Sequence, residues 1–291
     1  MYGVVTRNAE ELEWSAFDAG FYEVKDVTGR AAAPLSTGVN MVSAFGDNAA
    51  VGDDPSMAAV DAEGRPATRE RSYFDWSYVC PTHDRYREGL LEIVDDCVEA
   101  GPALRLDDVG FPRDGYCRCE RCDRRFAGSE FDDRTDWRAS VVTDFVSAVH
   151  ERVPGDLHLT LYPDPYAGHL RARSGVDIEA LAPMVDEFVV PLYDTAYGTT
   201  YWLETIARGF ESRLAGLESR LAIELYAVEV DVDALVGATA VAEASADAVY
   251  FGYDASNAAA AIRRMQADRR EGVSHGETAA TDTDTGDHSG P

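Results

Sequence analysis

The feature that most constrains this chain is a succession of eight strand-like apolar segments, most of them separated by stretches of helical periodicity. Strands are expected at Tyr2 to Thr6, Gly20 to Val27, Gly38 to Phe45, Ala103 to Val109, Leu157 to Tyr162, Glu187 to Tyr193, Leu221 to Val228 and Ala248 to Tyr253. Helical spacing fills Asn8 to Ala19, Arg85 to Glu99, Asp136 to Arg152, Ile178 to Val185, Tyr201 to Leu217, Val232 to Ala244 and Asn257 to Arg269. Strands that alternate with helices form a parallel sheet, and eight of them predict a closed (β/α)8 TIM-type barrel. A doubly wound open sheet is the rival arrangement. The second and third strands are joined only by a short Ala/Pro-rich link, so that unit is irregular.

Length agrees with this reading. The chain has 291 residues, and a barrel of about 250 residues uses nearly all of them. Residues 1–270 are read as one barrel domain, and 271–291 as a polar, repetitive tail without aromatics, expected to be disordered. Two long insertions stand out, Gly46 to Val79 after the third strand and Gly110 to Thr135 after the fourth. In a barrel both lie at the C-terminal face, where active sites are assembled from loops.

The charge balance narrows the partners. There are 53 acidic side chains against 26 basic ones, and Lys25 is the sole lysine. Such an acidic, lysine-poor surface suits concentrated salt, where carboxylates hold water and cations and screening removes their mutual repulsion. A net charge of −27 argues against nucleic acid and anionic membranes as partners. No apolar run reaches the roughly 18 residues of a membrane span, and the N-terminus reads as a first strand rather than a signal peptide. A soluble cytoplasmic protein is expected, with its oligomeric state open.

The cysteines form the sharpest motif. Cys117-Arg-Cys119-Glu-Arg-Cys122 places three thiols in six residues, a spacing that lets thiolates converge on one tetrahedral ion. Cys80, in Val79-Cys-Pro-Thr82, is the expected fourth ligand, and Zn²⁺ with four sulfurs is the usual closed structural site. Cys97 fits the apolar pattern of a helix and is read as core, and His83 as a helix N-terminal residue. Reduced thiols without metal are the plainer reading of the cluster.

A Cys-Pro before a helix, a strand ending in a polar pair, then Cys-x-Cys-x-x-Cys with Phe four residues later resembles glycoside hydrolase family 42 and several groups of hydrolase-like barrels. Here the stretch runs from Cys80-Pro through Leu104-Arg-Leu-Asp-Asp108 to Cys117 and Phe126. The resemblance implies a structural zinc on Cys80, Cys117, Cys119 and Cys122. It also implies a general acid/base at Asp108, where that family has Glu, with Asp107 in the place of the preceding Asn.

Glycoside hydrolysis needs two carboxyl groups, one protonated and one ionised. Adjacent strand residues point to opposite sides, so only one of Asp107 and Asp108 is expected to enter the barrel mouth directly; motif position favours Asp108. Glu224, inside the apolar strand Leu221 to Tyr226, stands on the seventh strand, where the resemblance implies the nucleophile of retaining enzymes; a charge there is costly unless it is paired or used. Glu229 is a second choice. Asp194, after the sixth strand, could instead pair with Asp108. Asp164 and Asp254 end two further strands as candidate hydroxyl contacts. Tyr162, Tyr193, Tyr226 and Tyr253 gather at the same ends, and Trp76 in the third loop could cover a carbohydrate pocket. The expectation is a glycoside-hydrolase-like enzyme acting on a carbohydrate or glycoside. The alternative is a barrel that keeps the zinc and binds sugar without turnover, and a zinc-dependent hydrolase or thiol enzyme is a third possibility.

Overall fold

A computed structural model of the chain describes residues 1–272. Eight parallel strands close into a barrel: β1 (Tyr2–Thr6), β2 (Ala19–Asp26), β3 (Val39–Ser43), β4 (Leu104–Asp107), β5 (Leu157–Thr160), β6 (Glu187–Pro191), β7 (Arg220–Tyr226) and β8 (Ala248–Gly252). Closure comes from β1, which pairs with both β2 and β8. A two-residue strand, Gly29–Arg30, adds antiparallel to β2. The expected (β/α)8 architecture is therefore the observed one, and each strand falls where the apolar runs put it.

The helices depart from expectation in two places: the stretch expected from Ile178 to Val185 is helical only over Ile178–Leu181, and the first expected helix is missing. Between β1 and β2 there is no α-helix but a 3-10 turn, Ala9–Glu13, capped by Asn8. None of its residues is fully buried, and Leu12 is the one that packs, partly, against the core, which is too little apolar face to hold a longer helix. Around the rest of the barrel, helices Asp84–Ala100, Arg134–His150, Tyr201–Leu214, Val232–Glu243 and Ala255–Glu271 cover the outside of the sheet. The core lies between these helices and the barrel, and takes in Leu104, Leu106, Phe145, Phe188 and Phe251. Cys97 is buried within it, as expected. His83 caps the helix Asp84–Ala100, its Nδ1 accepting from Tyr86 N at 3.3 Å. The tail expected from residue 271 lies outside the described residues, apart from Glu271 and Gly272, which close the last helix. No helix among the described residues is long and apolar enough to cross a membrane.

Strand alternation sends a second set of side chains inward. Val5, Phe21, Met41, Val189, Ala222, Ala248 and Tyr250 form an apolar plug inside the barrel. The same parity carries Arg105 and Asp107 of β4, His158 and Thr160 of β5, Glu187 of β6 and Glu224 of β7 inward. The interior is thus layered, apolar at Phe21 and polar above and below it. The lower polar group is His158, Tyr250 and Glu187: His158 Nδ1 lies 2.9 Å from Glu187 Oε1, and Tyr250 donates to the same oxygen.

Candidate functional site

The C-terminal mouth of the barrel opens into a cavity of about 940 Å³. Its floor is the upper polar layer, and one wall is the long loop after β3, which contributes Phe74, Trp76 and Tyr78. That loop is held by bridges between Gly46 and Tyr78 and between Ala58 and Val79. It is also tied to the insertion after β4: Arg118 N donates to Val60 O at 2.8 Å, and Tyr116 packs edge-on against Phe74.

Beside that tie sit the four cysteines. The sulfurs of Cys80, Cys117, Cys119 and Cys122 all lie within 4.8 Å of one another, with Cys80 to Cys122 at 3.4 Å and Cys80 to Cys119 at 3.8 Å. Thiolates about 2.3 Å from a tetrahedral ion lie roughly 3.8 Å apart, so this set fits a metal ion. Backbone amides point at the sulfurs: Val60 N and Cys119 N toward Cys117 Sγ, and Cys122 N toward Cys119 Sγ. Such donors stabilise thiolate charge. The cluster can therefore hold a metal, and it spans both long loops.

Asp107 and Asp108 both line the cavity. Parity with Arg105 sends Asp107 to the barrel axis, leaving Asp108 to point away. Asp108, however, adopts a left-handed conformation with φ of 50°, which breaks the alternation and swings its carboxyl back to the cavity wall. There it meets Ser43, whose Oγ lies 2.6 Å from Asp108 Oδ2 and 3.0 Å from Gly46 O. Ser43 has a single proton to give. Gly46 O also accepts from Lys25 Nζ at 3.2 Å, which leaves the Ser43 proton to Asp108 Oδ2. Burial, then the adjacent charge of Asp107, push Asp108 up to about 8, against the opposing pull of the Ser43 hydrogen bond and the Lys25 charge. Gly46 must lack a side chain, since a Cβ there would stand 2.7 Å from Asp108 Oδ2 and 2.8 Å from Trp76 Nε1. That indole N–H is itself buried and has no hydrogen-bond partner among the described residues.

Burial also raises Asp107, but Arg105 opposes the rise, and Asp107 Oδ1 accepts from the amide of Asp108 at 2.9 Å. Glu224 is not among the cavity-lining residues. Its carboxylate is fully buried, ion-paired to Arg105 and accepting from the hydroxyl of Tyr193. Arg105 Nε donates to Thr160 Oγ1 at 3.0 Å. Burial works against the charge of Arg105, and Glu224, Asp107 and Tyr193 together outweigh it, so the guanidinium stays charged.

The other expected residues divide. Tyr162, Tyr193, Tyr226, Tyr253 and Trp76 line the cavity, with ring centroids 5.5 Å apart for Tyr193 and Tyr226 and 6.5 Å for Tyr226 and Tyr253. Asp194 does not; its Oδ1 accepts from Ala196 N at 3.0 Å and closes its own turn. Asp254 caps the helix Ala255–Glu271 through Asn257 N. Asp164 accepts from Tyr166 N, lies 3.1 Å from His169 Nδ1, and borders a separate, smaller cavity. Glu229 is likewise outside the lining.

Sequence reasoning missed Glu23 of β2, a buried cavity residue bound by Arg7 and by Tyr253, whose hydroxyl donates to Glu23 Oε1 at 3.1 Å. Burial, partly offset by Arg7, raises its carboxyl. The signal was present: Glu23 is a charge in an apolar strand, as Glu224 is.

Fold and site together define a (β/α)8 barrel with an acidic, tyrosine-lined mouth. No family model matches the chain, and no curated protein matches it. Among solved structures, the chain is similar to α-L-fucosidase isoenzyme 2 from Paenibacillus thiaminolyticus, with a TM-score of 0.63 at 15% identity. That match covers 90% of this chain but 46% of the fucosidase, so the chain spans under half of that protein's length. It is also similar to the catalytic domain of β-amylase from Paenibacillus polymyxa, with a TM-score of 0.51 at 11% identity, covering 86% of this chain and 91% of that one. At these identities the likeness is one of fold.

Proposed function

We propose that the protein is a glycoside-hydrolase-like enzyme, with Asp108 as the general acid and Asp107 as the ionised partner. The observation that carries this is the aspartate pair at the end of β4, open to a tyrosine-lined cavity, where burial and Asp107 push the Asp108 carboxyl up to about 8. Two buried neighbouring carboxyls share one proton more readily than they ionise together. Arg105 favours the charge on Asp107, while burial and the charge of Asp107 keep the proton on Asp108. A glycosidic oxygen beside Asp108 would receive that proton as its bond to the anomeric carbon breaks. Asp107 would meet the positive charge developing on the sugar, and water would complete hydrolysis. Tyrosine faces suit the C–H faces of sugar rings, and the free N–H of Trp76 offers a donor beside the acid.

Glu224, the nucleophile implied by family resemblance, acts in this scheme through Arg105 and Tyr193 without touching the sugar. We further propose that the cysteine-bound ion is zinc in a closed structural site, joining the two loops that wall the cavity. The acidic, lysine-poor composition supports a cytoplasmic protein working in concentrated salt, with neither nucleic acid nor membrane as partner. The buried position of Glu224 favours a second reading, a sugar-binding barrel without turnover. Asp108→Asn separates the two. Assayed against a panel of aryl glycosides, it should lower kcat by about 100-fold or more while sugar affinity is kept. If the wild type turns over none of the panel but binds sugars, the binding reading replaces the hydrolase.

A further inference from the structure

Two arginines face the cavity, and they differ in what holds them. Arg7 is engaged: its Nε donates to Glu23, and its Nη2 lies 3.0 Å from Asp26 Oδ2. Arg173 has no carboxylate within ion-pairing distance among the described residues. Glu11, Glu23, Asp26, Asp75, Asp107 and Asp108 line the same cavity, yet none reaches its guanidinium.

Arg173 is nonetheless held in place. Its guanidinium carbon stands 3.9 Å from the centroid of the Tyr162 ring, the side chain lying over that ring. Its backbone carbonyl accepts from Arg138 Nη2 at 2.7 Å, and the buried Arg138 also donates to the carbonyls of Ala172 and Arg113. A guanidinium resting on an aromatic face keeps its in-plane N–H groups free, in the fork that matches a carboxylate. Arg173 also shares a wall with the aspartate pair. Burial raises the phenol of Tyr78 most; the charges of Asp108 and Asp107 add to the rise, and that of Arg173 opposes it.

We infer that Arg173 reads a carboxylate on the substrate, so that the cavity takes a glycoside of a uronic acid. This rests on the hydrolase reading for the reaction, but the recognition itself is a matter of binding. A neutral hexose would leave the fork facing water. A hexuronate would complete it, and would bring its negative charge to the one cationic group of the lining that no carboxylate already neutralises.

The test measures affinity by calorimetry for methyl glucuronide and methyl glucoside, and for the galacto pair, at the lowest salt that keeps the protein folded. In at least one pair the wild type should bind the uronide about tenfold tighter or better. Arg173→Gln should abolish that preference and leave the affinity for the neutral sugar unchanged. Arg173→Lys should keep part of it, because charge remains while the planar fork is lost. Equal affinities in the wild type, no binding of either sugar, or a preference that survives Arg173→Gln would overturn the inference. Binding of methyl glucoside 6-sulfate as tightly as the uronide would overturn the carboxylate assignment. Arg173-dependent binding without turnover of aryl uronides would leave the inference standing and remove the hydrolase.

Discussion

Arg105 and Glu224, 119 positions apart in the chain, meet inside the barrel as an ion pair from which water is excluded. The pair forms the upper polar layer with Thr160 and Tyr193, directly beneath the aspartates that open to the cavity. It ties β4 to β7 across the barrel, with the Phe21 ring 5.3 Å from the Arg105 guanidinium. Its consequence is that the seventh-strand carboxylate is engaged from within.

Removing one partner of such a pair strands the other charge in the interior. Glu224→Gln should destabilise the protein by about 3–5 kcal/mol, read from denaturant unfolding. The double replacement Arg105→Met with Glu224→Leu should recover most of that loss. A Glu224→Gln protein of full stability but without turnover would instead mark Glu224 as the group that meets the sugar.

Asp108 must keep its proton to act as an acid. With its carboxyl held up to about 8, kcat/KM should fall as pH rises through that value, and should fall again at the acid end, where Asp107 takes up a proton and loses its charge. Asp107 is among the causes of the elevation, so Asp107→Asn should let Asp108 ionise more easily. Carbon NMR titration of the Asp108 carboxyl should then show its midpoint moving to lower pH.

The same elevation has a sign for stability. Asp108 titrates near 8 in the folded state and near 4 when unfolded. Its contribution is therefore complete below about pH 4 and is lost as pH rises through about 8. Asp108→Asn keeps an acceptor for Ser43 and never ionises. Its stability relative to wild type should grow across that window, by about 1–2 kcal/mol once solvent screening by the open cavity is allowed for. Melting curves at pH 5 and pH 8.5 would check it; a variant uniformly less stable at both would contradict the neutral state of Asp108.

Cys119→Ser removes one of the four sulfurs. Bound metal per chain, measured by mass spectrometry, should fall, and the melting temperature with it, because ion binding contributes to folding. The loop after β3 is tied to the cysteine segment through Val60 and Tyr116. Sugar affinity should therefore weaken as the Phe74 and Trp76 wall loosens, although no cysteine lines the cavity. Unchanged metal content would overturn the site.

Dilution from molar salt to about 0.05 M lengthens the range over which carboxylates repel one another. At a net charge of −27, circular dichroism should show loss of structure on dilution, reversed by adding salt back. A fold unaffected by dilution would remove the salt-adapted reading.

Much of the barrel was legible in the sequence because strand and helix periods are local properties. The cysteine cluster was legible too, since three ligands fall within six residues. The missing helix between β1 and β2 was not. Asn8 to Ala19 has helical spacing but buries only parts of Leu12 and Phe17, and burial is what holds such a segment. Arg105 and Glu23 went unread although each is a charge in an apolar strand. The argument from cost that singled out Glu224 applied equally to Arg105, and opposite charges buried in one barrel ask to be paired.

The sequence by itself determined the eight-stranded plan, the acidic surface and the cysteine set, all of which follow from composition and spacing along the chain. It also held the sole lysine, but not its place. Lys25 is buried, its ammonium donating to the carbonyls of Ser43 and Gly46 at 2.8 and 3.2 Å and pairing with Asp47 at 3.2 Å, a radial arrangement that a planar guanidinium would not fill. Only the tertiary structure decided which carboxylates face the cavity. Strand parity alone would turn Asp108 away, and its left-handed backbone turns it back. Whether a charge is used, paired or spent on a cap depends on what the closed barrel brings beside it. Those contacts join residues too far apart in the chain for any local pattern to register.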